Sequence, residues 1–360
     1  MKFLKDLLKK HESLVALDLG ATALKLVELD ITGEKPRLCN IALMKIGADV
    51  FSGNVLSKAE KVSEIISTLL EESQIADKRV ITAMPAPSVF TKRIKMQKMD
   101  YDELDNNIQF EAGNFIPHSL DAVKLDYHII GDAGKNQLDI LIVAVKNEII
   151  DSFLDCFSLA GLEAAVVDVD YFALQNVFEF NYPEYISKTT ALINIGARYS
   201  SINICQGGQS LFTGDISVGG KLITDAISEE LQVSVEEAEK YKVSQDSRGD
   251  HKVEVEDIID RSIEQVASEF NRQLSFFWSA SGSDDGIDHI MLSGGGAKLP
   301  GLVDELSEKT GLKCESMDPF RHVMCDTSFD KVYLKDLAPL MSVGLGLAMR
   351  QPGDKIFPSS

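Results

Sequence analysis

"TALINIGARYSSINIC", residues 190–205, sets two runs of apolar, strand-forming residues on either side of one glycine, the pattern of two strands joined by a tight turn. A stretch nearer the N-terminus, "VALDLGATALKLVELD", residues 15–30, repeats it. Asp18 falls over Asn194, Gly20 over Gly196, Ala21 over Ala197 and Leu26 over Ile202, all at one offset of 176 residues (194 minus 18). Half the chain echoes the other half. A glycine between two strands lets the backbone approach a phosphate closely and aim N–H groups at it. Alone, each turn is equally an ordinary hairpin. As a pair they become two arms around a polyphosphate, and a third glycine loop, "SGGGAKLPG" at 293–301, leaves room for a base or sugar against its backbone. That third loop matches neither a P-loop nor the dinucleotide fingerprint.

A chain of 360 residues with 44% apolar content exceeds the size at which one core is convenient, so two or more lobes are expected. The balance of 36 basic against 56 acidic residues, net charge −20, repels a nucleic-acid backbone. Cys39, Cys156, Cys205, Cys314 and Cys325 have neither CxxC spacing nor neighbouring histidines, which argues against zinc and against a disulfide framework and fits a reducing cytoplasm. The opening "MKFLKDLLKK" is basic and apolar, but its longest uncharged run is two residues, too short for a signal peptide or a membrane span. Phe3, Leu4, Leu7 and Leu8 share one face of a short helix. Two readings stay open for it: a leader docked on the protein, or a weak hold on an anionic membrane.

Strands at the first hairpin and "PRLCNIALMKI", then helical "SKAEKVSEIISTLLEES", open an α/β lobe. Pro85 and Pro87 punctuate the chain before a small strand, helix, strand, strand unit that starts with "VFTKRIKMQK". On that first strand Phe90, Lys92, Ile94 and Met96 share one face and Thr91, Arg93 and Lys95 the other. Such an edge strand can accept an extended peptide, and its cations equally serve to keep the edge from aggregating. Helical "NEIIDSFLDCFSLAG" and strand "AAVVDVD" lead back to the first lobe. The second lobe continues with "FTGDISVGGKLITDAISEEL", helical "SVEEAEKYKV", a polar exposed loop "SQDSRGDHK", and a long helix over "EDIIDRSIEQVASEFNRQLSFFWSAS". "APLMSVGLGLAMR" closes the fold, and no repeat shorter than the half-chain echo is present.

In this order the motifs resemble the actin-like ATPase superfamily, which includes actin, heat-shock ATPases, sugar kinases and FtsA. Within it the chain is similar to the PilM family of type IV pilus assembly, along "ALDLGATALKLVEL", "MPAPSVFTKRIKM", "IQFEAGNFIPHSLDAVKLDY", "VVDVDYFAL", "INIGARYSSINI", "FTGDISVGGKLIT", "MLSGGGAKLPGL" and "SVGLGLAMR". The resemblance implies an α/β, two-lobed actin-like (ribonuclease H-like) fold with an FtsA/PilM-type inserted subdomain. Its boundaries would be 1–86 and 147–188 for the first lobe, 87–146 for the insert, 189–221 and 287–350 for the second lobe, 222–286 for a helical subdomain and 351–360 for a tail. It further implies ATP with Mg2+. Asp18, Gly20, Ala21, Thr22 and Lys25 would form the first phosphate hairpin, and Gly196, Ala197, Arg198, Tyr199 and Ser200 the second. Gly219, Gly220 and Lys221 would sit near the nucleotide, with Gly294, Gly295 and Gly296 under the adenosine. Glu239 and Lys242, three apart on one helical face, fall where relatives contact ribose or base, and are equally a solvated ion pair.

Hydrolysis in this superfamily needs carboxylates to hold magnesium, directly or through water, and to activate the attacking water. Asp18 is present, as the implied magnesium residue, and Asp168 and Asp170 precede the second hairpin. Asn194 replaces the remaining acid with an amide, which can orient a water but cannot take its proton. The expectation is slow turnover or none, with ATP as a structural or switching ligand that holds two lobes closed. The family resemblance also implies that the chain binds the cytoplasmic N-terminal tail of PilN, an inner-membrane protein, near Arg93, Phe115, Ile116 and Pro117. It would then work with other pilus-assembly components at the inner face of that membrane, with a homo-oligomer open. The alternatives are an FtsA-like division protein, which would want a C-terminal amphipathic helix that "RQPGDKIFPSS" does not supply, and a metabolic kinase, for which no base can be assigned.

Overall fold

The computed structural model describes residues 14–47, 49–281 and 286–354. The leader and most of the tail read from sequence lie outside the described residues. Three antiparallel strands, β1 (Val15–Leu19), β2 (Ala23–Asp30) and β3 (Arg37–Lys45), are followed by a two-residue hairpin, β4 (Phe51–Ser52) and β5 (Val55–Leu56). Helix α1 (Ala59–Glu72) then returns the chain to β6 (Arg79–Met84), parallel to β1. The inserted module follows as β7 (Val89–Gln97), α2 (Tyr101–Ala112), β8 (Val123–Gly134) and β9 (Gln137–Lys146). Helix α3 (Asn147–Leu159) and β10 (Glu163–Val169) complete a sheet of order β10-β6-β1-β2-β3.

Helix α4 (Asp170–Asn181) crosses to the second lobe, which begins with β11 (Thr190–Ile195), β12 (Ser200–Gln206) and β13 (Gln209–Ile216). Helices α5 (Gly220–Leu231), α6 (Val235–Val243) and α7 (Lys252–Ser281) precede β14 (His289–Ser293), α8 (Leu302–Thr310), β15 (Lys313–Ser316) and α9 (Lys331–Ala348). The second sheet runs β13-β12-β11-β14-β15. Its plan repeats the first. In each, a central strand pairs antiparallel with the other arm of its hairpin and parallel with a strand on the opposite side. The echo in sequence is thus an echo in topology. Central strands are covered on both faces, which is why β11 and β14 read as near-continuous apolar runs instead of alternating.

The two lobes exchange helices. Helix α4 packs beneath β11 and β12 of the second sheet, while α9 packs beneath β1 and β2 of the first and crosses α4. The core that unites them includes Ala16, Val27 and Ile81 from one lobe and Leu192, Cys205 and Met291 from the other. Local signals set several helix starts. Ser234 accepts the Glu237 N–H at the start of α6, and Asp330 accepts those of Val332 and Tyr333 at the start of α9. One sequence expectation needs correction. The "SQDSRGDHK" segment is not simply an exposed loop: it folds into two short 3-10 turns, because Arg248 is buried there, donating to the Tyr241 carbonyl at 2.8 Å and reaching Glu256.

Candidate functional site

Both hairpins close by the same hydrogen bond. The Gly20 N–H meets the Ala23 carbonyl at 3.0 Å, and the Gly196 N–H meets the Tyr199 carbonyl, also at 3.0 Å. A Cβ at Gly196 would come within 2.7 Å of that carbonyl, so the turn requires glycine. Ala21 and Thr22 form the tip of the first turn, and Ala197 and Arg198 the tip of the second. Ser200, fully buried, donates from Oγ to the Val218 carbonyl at 2.7 Å, tying the second hairpin to the segment before α5.

The α5 N-terminus lies against the second hairpin. Gly220 N–H donates to the Gly196 carbonyl at 2.9 Å and Lys221 N–H to the Ala197 carbonyl at 2.8 Å. A Cβ on Gly219 would fall 2.6 Å from both carbonyls, so the close approach depends on its absence. The Lys221 ammonium is engaged by Asp225 one turn on. Lys242 Nζ donates to the Gly220 carbonyl at 3.1 Å, to Thr224 Oγ1 at 2.8 Å and to Glu239 Oε2 at 2.6 Å. The ion-pair reading of Glu239 and Lys242 is thus what the geometry shows, and Lys242 also reaches the glycine pair at the start of α5. On the other side of β11, Gly294 sits at φ +81° and donates to the Pro339 carbonyl of α9 at 2.7 Å. A Cβ on Gly296 would overlap Ile195, whereas Gly295 is open. The Asn194 amide oxygen lies beside this loop, 3.5 Å from Ser293 Oγ.

The acids separate. Asp18 is paired with Lys25 at 2.7 Å. Asp170 accepts from the Ala86 N–H at 3.2 Å and from the Tyr199 hydroxyl at 3.1 Å, and its Oδ1 is buried without a partner among the described residues. Burial pushes its carboxyl up to about 7, with the nearby Asp18 adding to the rise and the two hydrogen bonds opposing it. Burial and the neighbouring Asp170 likewise raise the Tyr199 phenol. Asp168 leaves the group: it is bound to Arg350 at 3.3 Å, near the end of α9. Among the described residues no three His, Cys, Asp or Glu side chains converge on a point that could hold a metal.

Arg198 and Tyr199 reach the first lobe. Tyr199 bonds Asp170, and Arg198 donates to the Gly53 carbonyl at 2.6 Å with its guanidinium 6.0 Å from the Phe51 ring centroid. Sequence reasoning misses the β4–β5 hairpin, although "FSGN" carries a turn glycine, seen at φ +58°. These contacts make Arg198 an interlobe tie in this structure. Arg198→Ala is accordingly expected to lower stability by about 1 kcal/mol without any nucleotide present, measured by urea denaturation. A residue that served phosphate alone would leave that value unchanged.

In the insert, Arg93 forms a two-pronged contact with Asp139 on β9, with Nε 2.8 Å from both carboxylate oxygens. Ile116 is buried in the module core, and Phe115 is 41% exposed, with the Lys92 ammonium 5.7 Å from its ring centroid. Pro117 is exposed. Strand alternation puts Arg93 on the face opposite Phe115, so the four residues do not line one surface, and Lys92 is the cation beside the aromatic ring.

A family model described as "Type IV pilus assembly protein PilM" matches residues 16–352. The protein is similar to a solved PilM-PilN type IV pilus biogenesis complex, with 26% identity and a TM-score of 0.83 over 93% of this chain and 97% of that one. It also resembles the ethanolamine utilization protein EutJ from Carboxydothermus hydrogenoformans, with 16% identity and a TM-score of 0.57 over 97% and 96% of the two chains. MreB 5 of Spiroplasma citri bound to AMPPNP matches with 11% identity and a TM-score of 0.53 over 94% and 95%. At these identities the last two establish the actin-like ATPase fold alone.

Proposed function

The chain belongs to the PilM family of type IV pilus assembly proteins, and from that premise we propose a nucleotide-dependent scaffold that closes on ATP and takes the cytoplasmic tail of a PilN-like protein on its inserted module. The observation that carries the nucleotide half is the pair of hairpins with the same turn bond, 176 residues apart (196 minus 20), the second tied to the first lobe through Arg198 and Tyr199. The residues present fit a nucleoside triphosphate. Gly219 and Gly296 bring backbone to distances that a Cβ would block, and Lys25 and Lys242 place ammonium groups beside the first hairpin and the α5 glycine pair. Lys25 would hold phosphate charge, Lys242 and Glu239 the sugar side, and Gly294 to Gly296 the base. Bound triphosphate would supply negative charge that offsets Lys25 and Arg198. Magnesium, which neutralises such charge, would be held through water by Asp18.

The acids present favour binding over turnover. Asp170 is committed to Tyr199 and Ala86, Asp168 to Arg350, and Asn194 cannot accept a proton. In calorimetry Mg-ATP is expected to bind, and at a hundredfold excess over Kd to stabilise the fold by about 2.7 kcal/mol. Phosphate release over hours should stay near background in wild type. Fast release by wild type would overturn the reading of Asn194. Asn194→Asp should raise release only if Asp170 is free to act.

The tail-binding half rests on the family and on the PilM-PilN relative. Among the described residues no helix is long and apolar enough to cross a membrane. Contact with the inner membrane through the partner rests on the family alone. An anisotropy titration of a labelled peptide from the tail of the organism's own PilN-like protein tests the tail-binding half directly.

A further inference from the structure

Between β3 and α1 the chain turns through the short β4–β5 hairpin, whose two ends are held differently. Its base is fixed in the first lobe. Val50 and Leu56 are buried there, the Ser57 N–H donates to the Val50 carbonyl at 2.8 Å, the Leu56 N–H donates to Ser152 Oγ on α3 at 3.1 Å, and Asp49 pairs with Lys58 and Lys61. The tip is open: Ser52 and Gly53 are exposed, and Gly53 stands at φ +58° with nothing within 4 Å of an added Cβ.

Arg198 of the second lobe holds that tip. Its guanidinium donates to the Gly53 carbonyl at 2.6 Å and lies 6.0 Å from the centroid of Phe51, a ring that Phe153 of α3 flanks at 6.1 Å. The same side chain belongs to the turn closed by the Gly196 N–H, the turn that the nucleotide reading gives to phosphate. Those two claimants are unequal. A neutral carbonyl offers an ordinary hydrogen bond, whereas a phosphate offers paired charge-assisted bonds, each about twice as strong, that match the planar fork of a guanidinium. Lys25 differs: Asp18 engages it within its own lobe at 2.7 Å, so its turning to phosphate frees nothing on the other lobe.

We infer, resting on the nucleotide-binding reading above, that Arg198 is a two-position latch: it grips Gly53 in the nucleotide-free protein and the phosphates of a bound nucleoside triphosphate otherwise, and the exchange sets the β4–β5 tip free. The tie between the lobes then runs from Arg198 through the phosphates to Lys25. Nucleotide state is thereby displayed on the surface, at Phe51 to Val55, while the anchored base keeps the hairpin in place.

Backbone hydrogen exchange of the full chain, followed by mass spectrometry over residues 49–58, tests this beside calorimetry of Mg-ATP binding. Ligands ordinarily slow exchange. Here Ser52 to Val55 are expected to exchange about fivefold faster in saturating Mg-ATP, the factor set by losing one net hydrogen bond, while peptides covering Gly20 and Gly196 slow. Arg198→Ala should show the fast rate without nucleotide, and Mg-ATP should not raise it further. Phe51→Leu, which keeps an apolar contact with Phe153 and loses the aromatic face, should quicken the nucleotide-free rate about twofold. Wild type that binds Mg-ATP with an unchanged or slower rate at the tip would overturn the latch and leave the nucleotide reading standing, as would Arg198→Ala exchanging like nucleotide-free wild type; no binding of Mg-ATP by wild type would overturn both.

Discussion

Gly346→Ala is expected to destabilise the protein by about 3 kcal/mol or more, the upper end of what overpacking costs, and to leave little soluble product. Gly346 lies on α9 where it crosses α4, and a Cβ there would stand 1.8 Å from the Ala173 carbonyl oxygen and 2.5 Å from its carbon. Both are backbone atoms of a buried helix, so no side-chain rotation relieves the clash, and the two helices would have to separate. That crossing carries the core shared by the lobes, so separation loosens both sheets at once. Gly344, two residues earlier on the same helix, is the internal control. A Cβ there would meet only the Val27 Cγ2, at 3.1 Å. Both substitutions gain the same helix propensity, about 1 kcal/mol over glycine. The difference between them therefore isolates packing. Urea denaturation of the two variants checks it: equal effects would mean that the helices can move apart without cost.

The apolar runs around Gly20 and Gly196, and their constant spacing, make the paired hairpins and the two sheets legible from the amino acids alone. Both signals are local, set by strand period and turn chemistry, so tertiary context has little to change. The helix exchange is not legible. α9 follows the second lobe in sequence yet packs on the first, because "VGLGLA" says that a helix face is small and apolar without saying which backbone lies against it. The same limit applies to Asp168 and Asp170, two residues apart in one motif. A strand-to-helix junction falls between them, sending one to Arg350 and the other to Tyr199. Arg198 shows it again: a cation at a phosphate turn reads as an anion ligand, and only the fold brings the Gly53 hairpin within its reach. β15, four residues long, and the first half of α9 escape a sequence reading because short or polar-faced segments carry too little period to stand out.

Asp170→Asn is expected to raise the melting temperature at pH 8.5 and to leave it nearly unchanged at pH 4. The carboxyl sits at about 7 in the folded protein against an ordinary value of 3.8, chiefly because burial disfavours its charged form. Between those values the folded state holds a proton that the unfolded chain has released. Stability contributed by the neutral acid is thus fully present below about pH 4, is lost as pH rises toward 7, and stays lost above it. Each pKa unit corresponds to about 1.4 kcal/mol, which puts the full penalty near 4 kcal/mol and the gain in the variant at several degrees. Asparagine is the suitable probe because its carbonyl can still accept from Tyr199 and from the Ala86 N–H while carrying no charge to desolvate. Calorimetric melts at pH 4, 6.5 and 8.5 should show the wild-type and variant curves diverging with pH. A constant offset across the series would mean that Asp170 is ionised throughout, and would return it to consideration as a base for water activation.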